Sequence, residues 1–219
     1  MKILITGTSN GIGEAVAKYF LEKGHTVFGI DRLKATINHQ KYQHFIADIS
    51  KKSQLPDIKE IEIIFNNAGT QNEDDLKNNL VGTINVTEKY AFQPAIKSVL
   101  FNASASASSG FEYPLYVASK AGVVGYMKNV AVRLAEFHAT ANSISLGGVL
   151  TSSNAPVMEN AILWEKVMDA TPLKKWTTLN EVCEWVYFLT MINKSATGVD
   201  ILIDNGEFNL NSTFVWPEK

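Results

Sequence analysis

A glycine-rich turn between an apolar run and a helical pattern constrains this chain most strongly. Residues 3–5 are Ile-Leu-Ile, and Thr6-Gly7-Thr8-Ser9-Asn10-Gly11-Ile12-Gly13 follows at once. Beyond the turn, apolar side chains recur at helical spacing until Gly24, and residues 26–31 form a second apolar run. A short run that is apolar on both faces is typical of a strand buried in a parallel sheet. The order strand, helix, strand therefore predicts a parallel βαβ unit.

The same alternation continues along the rest of the chain. Further strand-like runs occur at residues 44–48, 61–65, 98–102, 141–146 and 198–204, and helical spacing covers residues 75–97, 116–137 and 179–192. Thr178 and Glu181 have the spacing of a capping box at the start of the last helix. The pattern predicts one α/β domain over residues 1–219, a Rossmann-like doubly wound parallel sheet of about seven strands with helices on both faces. Residues 152–175 are the least regular, and we expect a mobile loop there.

Composition excludes several classes of protein. Hydrophobic residues make up 46% and charged residues 19%, and the net charge of -2 provides no basic surface for nucleic acid or an anionic membrane. No apolar run approaches the roughly 18 residues of a membrane helix. Cys183 is the only cysteine and the four histidines show no ligand spacing, so we expect no disulfide and no metal site. The glycine turn comes too early for a signal peptide, so we expect a cytoplasmic protein.

The glycine turn and the end of the second strand together predict a dinucleotide site. Glycines at a strand-to-helix turn let backbone N–H groups approach a pyrophosphate at the positive end of the helix. Asp31 follows Gly13 by 18 residues, where a carboxylate can accept hydrogen bonds from both ribose hydroxyls and repel a 2′-phosphate. This favours NAD. NADP stays open because the neighbouring Arg32 could bind that phosphate.

Motifs along nearly the whole chain resemble the short-chain dehydrogenase/reductase family in its compact, single-domain form. The glycine turn matches Thr-Gly-x-x-x-Gly-x-Gly, and residues 66–69 read Asn-Asn-Ala-Gly. Tyr116 and Lys120 form Tyr-x-x-x-Lys at the start of a long helix, and residues 142–151 match the loop beside nicotinamide, with Leu146 where proline is usual. A second Tyr-x-x-x-Lys begins at Tyr19, which we place toward the core.

The resemblance implies an oxidoreductase that transfers a hydride between a nicotinamide cofactor and an alcohol or carbonyl compound. It implies catalytic roles for Asn79, Ser104, Tyr116 and Lys120. The residues that it places against the cofactor are Gly7, Ser9, Asn10, Gly11, Ile12, Gly13, Asp31, Arg32, Asp48, Ile49, Asn67, Ala68, Gly69, Tyr116, Lys120, Gly147, Val149 and Thr151. It also implies a homodimer or homotetramer built through the two long helices.

The catalytic serine is ambiguous. The family carries it after the fifth strand, but three residues beyond Asn102 stands Ala105. Ser104 lies 12 residues before Tyr116 and is our first choice, with Ser106, 10 residues before it, as the alternative. A site without this serine is the third possibility, and it would lose a donor to the substrate oxygen.

Tyr116 must exchange a proton for this chemistry. A phenol has a pKa near 10, so work near pH 7 asks for a depression of about three units, roughly 4 kcal/mol. Lys120 lies four residues further on the same helix face, and we expect its ammonium to supply much of that bias. Asn79 matches the residue that links the lysine to solvent through water in the family.

Two readings of function remain. The first is an NAD-dependent oxidoreductase. The second is a non-catalytic sensor or structural partner that binds the dinucleotide, favoured by the uncertain serine and by a short segment between Asn67 and Asn79. That short segment predicts an open substrate cleft. Trp164, with nearby methionines, forms an apolar lid or simply packs its segment onto the domain. Phe208 and the tail through Trp216 could reach the active site or a neighbouring subunit.

Overall fold

The fold is a seven-stranded parallel sheet, seen in a computed structural model that describes residues 1–208 and 210. The strands run in the order β3-β2-β1-β4-β5-β6-β7, and every neighbouring pair is parallel. Their bounds are β1 Lys2–Thr6, β2 Thr26–Asp31, β3 Tyr42–Ile46, β4 Ile63–Asn66, β5 Ser98–Asn102, β6 Thr140–Leu146 and β7 Asp200–Ile203. Successive strands are added on one side of β1 up to β3 and on its other side from β4 onward. The boundary between β1 and β4 is therefore the switch point where doubly wound sheets bind ligands.

Helices cover both faces of the sheet. They are α1 Gly11–Glu22, α2 Gly82–Tyr90, α3 Ser106–Ser109, α4 Pro114–Leu134, α5 Ala155–Met158, α6 Ala161–Ala170 and α7 Leu179–Tyr187. A π-helical turn, Leu76–Val81, leads into α2, and a second, Phe188–Ile192, continues α7. The predicted fold class is confirmed, as are the glycine that ends the first helix, Gly24 with φ +83°, and the capping box of Thr178 and Glu181.

Alternation along the strands divides the core into two layers. In β1, Ile3 and Ile5 face the layer of α1 and α7, while Leu4 faces the layer of α2 and α4. All three side chains are fully buried. A central strand covered on both faces must be apolar throughout, which explains the unbroken run at residues 3–5.

Several predicted boundaries were wrong. The helix predicted over 75–97 ends at Tyr90, and β3 begins at Tyr42 rather than residue 44. Residues 152–175 carry α5 and α6 instead of an irregular loop. Asn160 caps α6, because its side chain accepts from the N–H groups of Ile162 and Leu163. That signal was present in the sequence and was missed.

Within the described residues no helix is long and apolar enough to cross a membrane. The same residues contain no group of three or more His, Cys, Asp or Glu side chains arranged to hold a metal ion.

Candidate active site

A cleft of about 560 Å³ lies at the carboxyl ends of the central strands. Fourteen of the residues that the sequence assigned to the site line it: Gly7, Asn10, Gly11, Ile12, Asp31, Arg32, Asp48, Ile49, Asn67, Ala68, Gly69, Tyr116, Lys120 and Thr151. Lining residues that the sequence did not point to include Leu33, Thr70, Gln71, Asn78, Asn102 and Ser153.

The glycine turn has the shape of an anion cradle. Gly11 has φ +55°, and a side chain there would meet nothing within 4 Å, so its backbone borders open space. Gly13 has a different role, because a Cβ there would stand 2.0 Å from the carbonyl oxygen of Gly7. The Asn10 side chain makes no capping hydrogen bond to α1. The first N–H groups of α1 therefore face the cleft without a side-chain cap and suit a phosphate.

Asp31 is held rigidly at the end of β2. Its Oδ2 accepts from the Ser9 N–H and its Oδ1 from the Leu33 N–H, each at 2.9 Å. Ser9 therefore supports the site through Asp31 rather than by lining the cleft. The exposed side chain of Arg32 lines the cleft beside Asp31. Asp31 and Arg32, on which the choice between NAD and NADP depends, therefore lie at the same end of the cleft.

Asp48 is ionised in its surroundings. Burial opposes its charge, but hydrogen bonds from the Ser50 hydroxyl and N–H, with the nearby Lys51, hold its pKa below the usual value. Asp48 follows β3 and lines the cleft as predicted.

A chain of amide hydrogen bonds joins the glycine turn to Lys120. The Asn67 N–H donates to Thr6 Oγ1 at 2.9 Å, and Asn67 Nδ2 donates to the Thr6 carbonyl at 3.0 Å. Asn102 Nδ2 donates to Asn67 Oδ1 at 3.0 Å, and Lys120 Nζ donates to the Asn102 carbonyl at 2.8 Å. Asn102 is a residue that sequence reasoning missed. Its place at the carboxyl end of a central strand was the available signal.

The structure separates the two candidate serines. Ser104 is buried, and its hydroxyl acts on the Tyr116 hydroxyl and lowers the pKa of the phenol. Ser106 Oγ donates to Ser104 Oγ at 2.9 Å, and the Ser106 N–H donates to the same oxygen at 3.2 Å. Ser104 thus faces the phenol, while Ser106 stands behind it.

Tyr116 and Lys120 come together, but not with the electrostatics that the sequence suggested. Burial raises the pKa of Tyr116 to about 12, and the charges of Glu112 and Asp75 push the same way. Burial lowers the pKa of Lys120 to about 8. Lys120 Nζ stands 5.6 Å from the centre of the Tyr116 ring. The expected depression of the phenol pKa is therefore absent in the protein alone, because desolvation of the phenolate is the largest influence on it and the Ser104 hydroxyl offsets only part of the rise.

Asn79 lies in the π-helical turn, a feature that often marks functional sites. Its Oδ1 accepts from the Thr70 N–H at 2.7 Å, and its Nδ2 donates to the Thr70 carbonyl and to Ser119 Oγ. The side chain is buried and does not line the cleft. It clamps the loop after β4 onto α4, beside Lys120.

Two further assignments differ from the sequence analysis, and a third is borne out. Gly147 and Val149 do not line the cleft: a Cβ on Gly147 would stand 2.8 Å from Asp204 Cβ, and Val149 is buried and pairs with Thr177. The glycine is thus needed for close packing. The second Tyr-x-x-x-Lys is remote from the cleft, as Tyr19 packs against the core with Lys23 Nζ 4.6 Å from its ring.

The mouth of the cleft is acidic and aromatic. Gln71 Nε2 donates to Glu112 Oε2 at 2.7 Å and links the loop after β4 to the loop before α4. Burial raises the pKa of Glu112, and Lys120 opposes that shift. Phe208 stacks near Phe111, with ring centres 6.2 Å apart, so this part of the C-terminal segment reaches the loop before Tyr116. Trp216 lies outside the described residues.

Trp164 packs edge-on against Trp176 at 5.1 Å between ring centres. This contact supports the packing role for its segment over the lid.

Comparison with known proteins settles the family. The model of the short chain dehydrogenase family matches residues 1–161. The chain belongs to the short-chain dehydrogenase family. It is similar to the 3-oxoacyl-(acyl-carrier-protein) reductase FabG of Buchnera aphidicola, with 28% identity over 93% of this chain and 96% of that protein. It is also similar to a D-beta-hydroxybutyrate dehydrogenase of Rhizobium meliloti, with 26% identity over 93% and 96% of the two chains.

Solved structures agree on the fold. A 4-hydroxyisoleucine dehydrogenase complexed with NADH superposes with a TM-score of 0.85 at 23% identity, covering 96% of this chain and 99% of that one. ElxO with NADP bound gives 0.82 at 22% identity, covering 95% and 99%. The alignment with the Buchnera reductase spans 236 positions, more than the 219 residues of this chain. The relative therefore carries segments that this chain lacks, in keeping with the short β2–β3 and β3–β4 connections.

Proposed function

We propose that this short-chain dehydrogenase is an NAD-dependent enzyme that interconverts an alcohol and a carbonyl compound, with Tyr116 as general acid and base. One observation carries the proposal: a single cleft joins the glycine turn and Asp31 at one end to Tyr116 and Lys120 at the other. This arrangement supports the proposal of a dinucleotide cradle beside a proton donor. The family assignment supplies the class of reaction.

The residues present fit a dinucleotide. The uncapped start of α1 suits the pyrophosphate. Each Asp31 oxygen accepts one backbone N–H and keeps lone pairs for a further donor, which suits ribose hydroxyls. A 2′-phosphate would bring negative charge against this carboxylate, so NAD is preferred. NADP is the alternative, through the neighbouring Arg32.

The nicotinamide, when bound, supplies or accepts the hydride. The chain supplies the rest. In the reducing direction Ser104 holds the carbonyl oxygen by a hydrogen bond, and Tyr116 gives its phenolic proton to that oxygen as the alcohol forms. A phenol whose pKa is raised to about 12 keeps its proton at neutral pH and is ready as an acid. In the oxidising direction Tyr116 takes the proton back, and the Lys120 charge compensates the phenolate.

The proposal includes a homodimer or homotetramer. Val132 on the outer side of the long helix α4 is apolar and 77% exposed. An exposed apolar side chain on that helix agrees with a contact between subunits there, and sedimentation of the purified protein measures it.

Turnover of purified protein tests the proposal. A panel of ketones and secondary alcohols is offered with NADH or NAD, and absorbance of the reduced nicotinamide is followed. We expect turnover by the wild-type protein and a loss of about 10²–10⁴-fold in kcat/KM for Tyr116→Phe, the range for one general acid. NADH binding should change far less than turnover in the variant, since Asp31 and the glycine turn at the other end of the cleft are untouched.

A second function, a dinucleotide-binding sensor without catalysis, is favoured by the high pKa of Tyr116. It predicts NADH binding with no turnover of any compound in the panel and no effect of Tyr116→Phe. That result would replace the enzyme proposal with the sensor.

A further inference from the structure

Asp75 is a buried carboxylate with one oxygen that has no hydrogen-bond partner. The side chain is 0% exposed. Its Oδ1 accepts from Thr70 Oγ1 and from the Asn72 N–H, both at 2.8 Å. Its Oδ2 is buried and receives no hydrogen bond from any residue in the described part of the chain. A buried carboxylate with an unsatisfied oxygen is costly, so it needs a compensating interaction.

The two hydrogen bonds to Oδ1 account for the conformation of a turn, but they do not require a charged acceptor. They close the loop 70–75 that leads into the π-helical turn, and a neutral amide or hydroxyl oxygen could accept both. Within residues 1–208 and 210, none of the ion pairs includes Asp75. A charge on this carboxylate therefore has no direct partner among these residues, although Lys or Arg is the usual companion of a buried carboxylate.

The loop closed by Asp75 lies beside Lys120. Asp75 binds the Thr70 hydroxyl and Asn79 binds the Thr70 N–H, and a Cβ on Gly69 would stand 3.1 Å from Asn79 Oδ1 and 3.5 Å from Lys120 Nζ. The charge of Asp75 raises the pKa of Lys120 and that of Tyr116. Lys120 is itself buried, with 5% exposure, and its Nζ donates to the Asn102 carbonyl. Glu112 is the other charged group that acts on this pair, from the loop before α4, and its side chain reaches solvent, unlike that of Asp75.

We propose that Asp75 is a positioning residue whose buried negative charge keeps Lys120 protonated and thereby sets the pH range over which the Tyr116–Lys120 pair works. Two opposite charges in one desolvated interior attract over a longer distance than at the surface. Asp75 and Asn79 both hold Thr70, Asp75 through the hydroxyl and Asn79 through the backbone, so both belong to the network beside Lys120. The inference rests on the proposed function, since the pair must take part in turnover.

The variant Asp75→Asn separates charge from structure. Its amide oxygen can still accept from Thr70 and Asn72, so the loop should stay closed while the charge is lost. Without that charge, Lys120 should lose its ammonium proton and Tyr116 its phenolic proton at a lower pH than in the wild type. The high-pH limb of kcat/KM for carbonyl reduction should therefore move down by about one unit, the scale for one nearby charge.

Asp74→Asn is the matched control. Asp74 is the exposed neighbour in sequence and its side chain makes no hydrogen bond among the described residues, so the limb should not move. Asp75→Glu keeps the charge and should restore the wild-type limb. If Asp75→Asn fails to fold, Asp75→Ser, which retains an acceptor without charge, takes its place.

A second readout needs no turnover. In the cofactor-free protein, the free energy of unfolding should begin to rise at a lower pH in Asp75→Asn than in the wild type, because Lys120 loses its proton at a lower pH in the variant. If Asp75→Asn folds and is active, and neither the high-pH limb of kcat/KM nor the pH at which stability begins to rise has moved, the role of Asp75 is overturned and the proposed function still stands. Absence of turnover in the wild type as well overturns the proposed function, and the stability onset then decides the role of Asp75 by itself.

Discussion

The two ends of the cleft are built from different kinds of interaction. At the dinucleotide end, the site is shaped mainly by the backbone. Gly11 leaves open space beside the turn, Gly13 allows close packing against Gly7, and two N–H groups fix the Asp31 carboxylate. At the reaction end, the outcome depends on side-chain burial and charge, as Tyr116 and Lys120 show by pKa values shifted to about 12 and about 8. Backbone geometry follows from sequence spacing, whereas desolvation depends on the whole surrounding structure.

After Tyr116→Phe, the largest effect expected at the reaction end alone is that of replacing Ser104. Ser104→Ala should lower kcat/KM by about 10²–10³-fold, or about 2.7–4 kcal/mol, because a donor to the developing oxyanion is lost. Cofactor affinity should stay the same. Ser106→Ala is the control and should cost less than about tenfold, since Ser106 acts only through Ser104. Steady-state kinetics checks both, and a larger loss at Ser106 would exchange their roles.

Lys120 should leave a signature in stability. Its pKa is 10.5 in the unfolded chain and about 8 in the fold, so the unfolded state holds more protons between these values. The contribution of Lys120 to the free energy of unfolding should therefore rise with pH from about 8 toward 10.5, by up to about 3 kcal/mol. Buried Cys183, whose pKa is raised to about 12, opposes this rise above about pH 9, so the Lys120 contribution is read as the difference from a variant that lacks the lysine. Urea unfolding of the cofactor-free protein between pH 8 and 10 measures this. Lys120→Met should remove the rise, whereas Lys128→Met, on the exposed side of the same helix, should keep it.

Asp31 tests the dinucleotide end. Asp31→Ala should weaken NADH binding by about 10–100-fold, the loss expected for hydrogen bonds to a charged acceptor. NADPH binding should improve relative to NADH, because the repulsion of a 2′-phosphate is removed. Arg32→Ala is the companion variant and should weaken NADPH alone. Equal loss of both cofactors in Asp31→Ala would assign the carboxylate a purely structural role through Ser9 and Leu33.

The smallest effect is expected at the exposed mouth. Glu112→Gln removes a charge that acts on Tyr116 and Lys120, but solvent screens it, so kcat/KM should change by less than about threefold. Raising the salt concentration should abolish that change, while it should leave the effect of the buried Asp75 in place. A change as large as that of Asp75→Asn would show that exposure does not separate the two carboxylates.

Sequence reasoning reached the fold and the dinucleotide end because both depend on spacing. The glycine turn, Asp31 and the run 66–69 fall where the pattern placed them. It did not separate Ser104 from Ser106, because that choice depends on which hydroxyl the strand end turns toward the phenol. It also missed Asn102 and Asp75, whose importance follows from burial and from long-range hydrogen bonds or charge. The sign of the Tyr116 pKa shift was wrong for the same reason, since burial dominates it.

The most direct test of the account is a titration of the wild-type protein with NADH and with NADPH, followed by energy transfer from tryptophan to the nicotinamide. Three tryptophans, Trp164, Trp176 and Trp185, lie within the described fold. We expect saturable binding of both cofactors, with NADH bound at least about tenfold more tightly, the value of one charge-assisted hydrogen bond. Tighter binding of NADPH would contradict the role given to Asp31, and binding of neither would contradict the dinucleotide site itself.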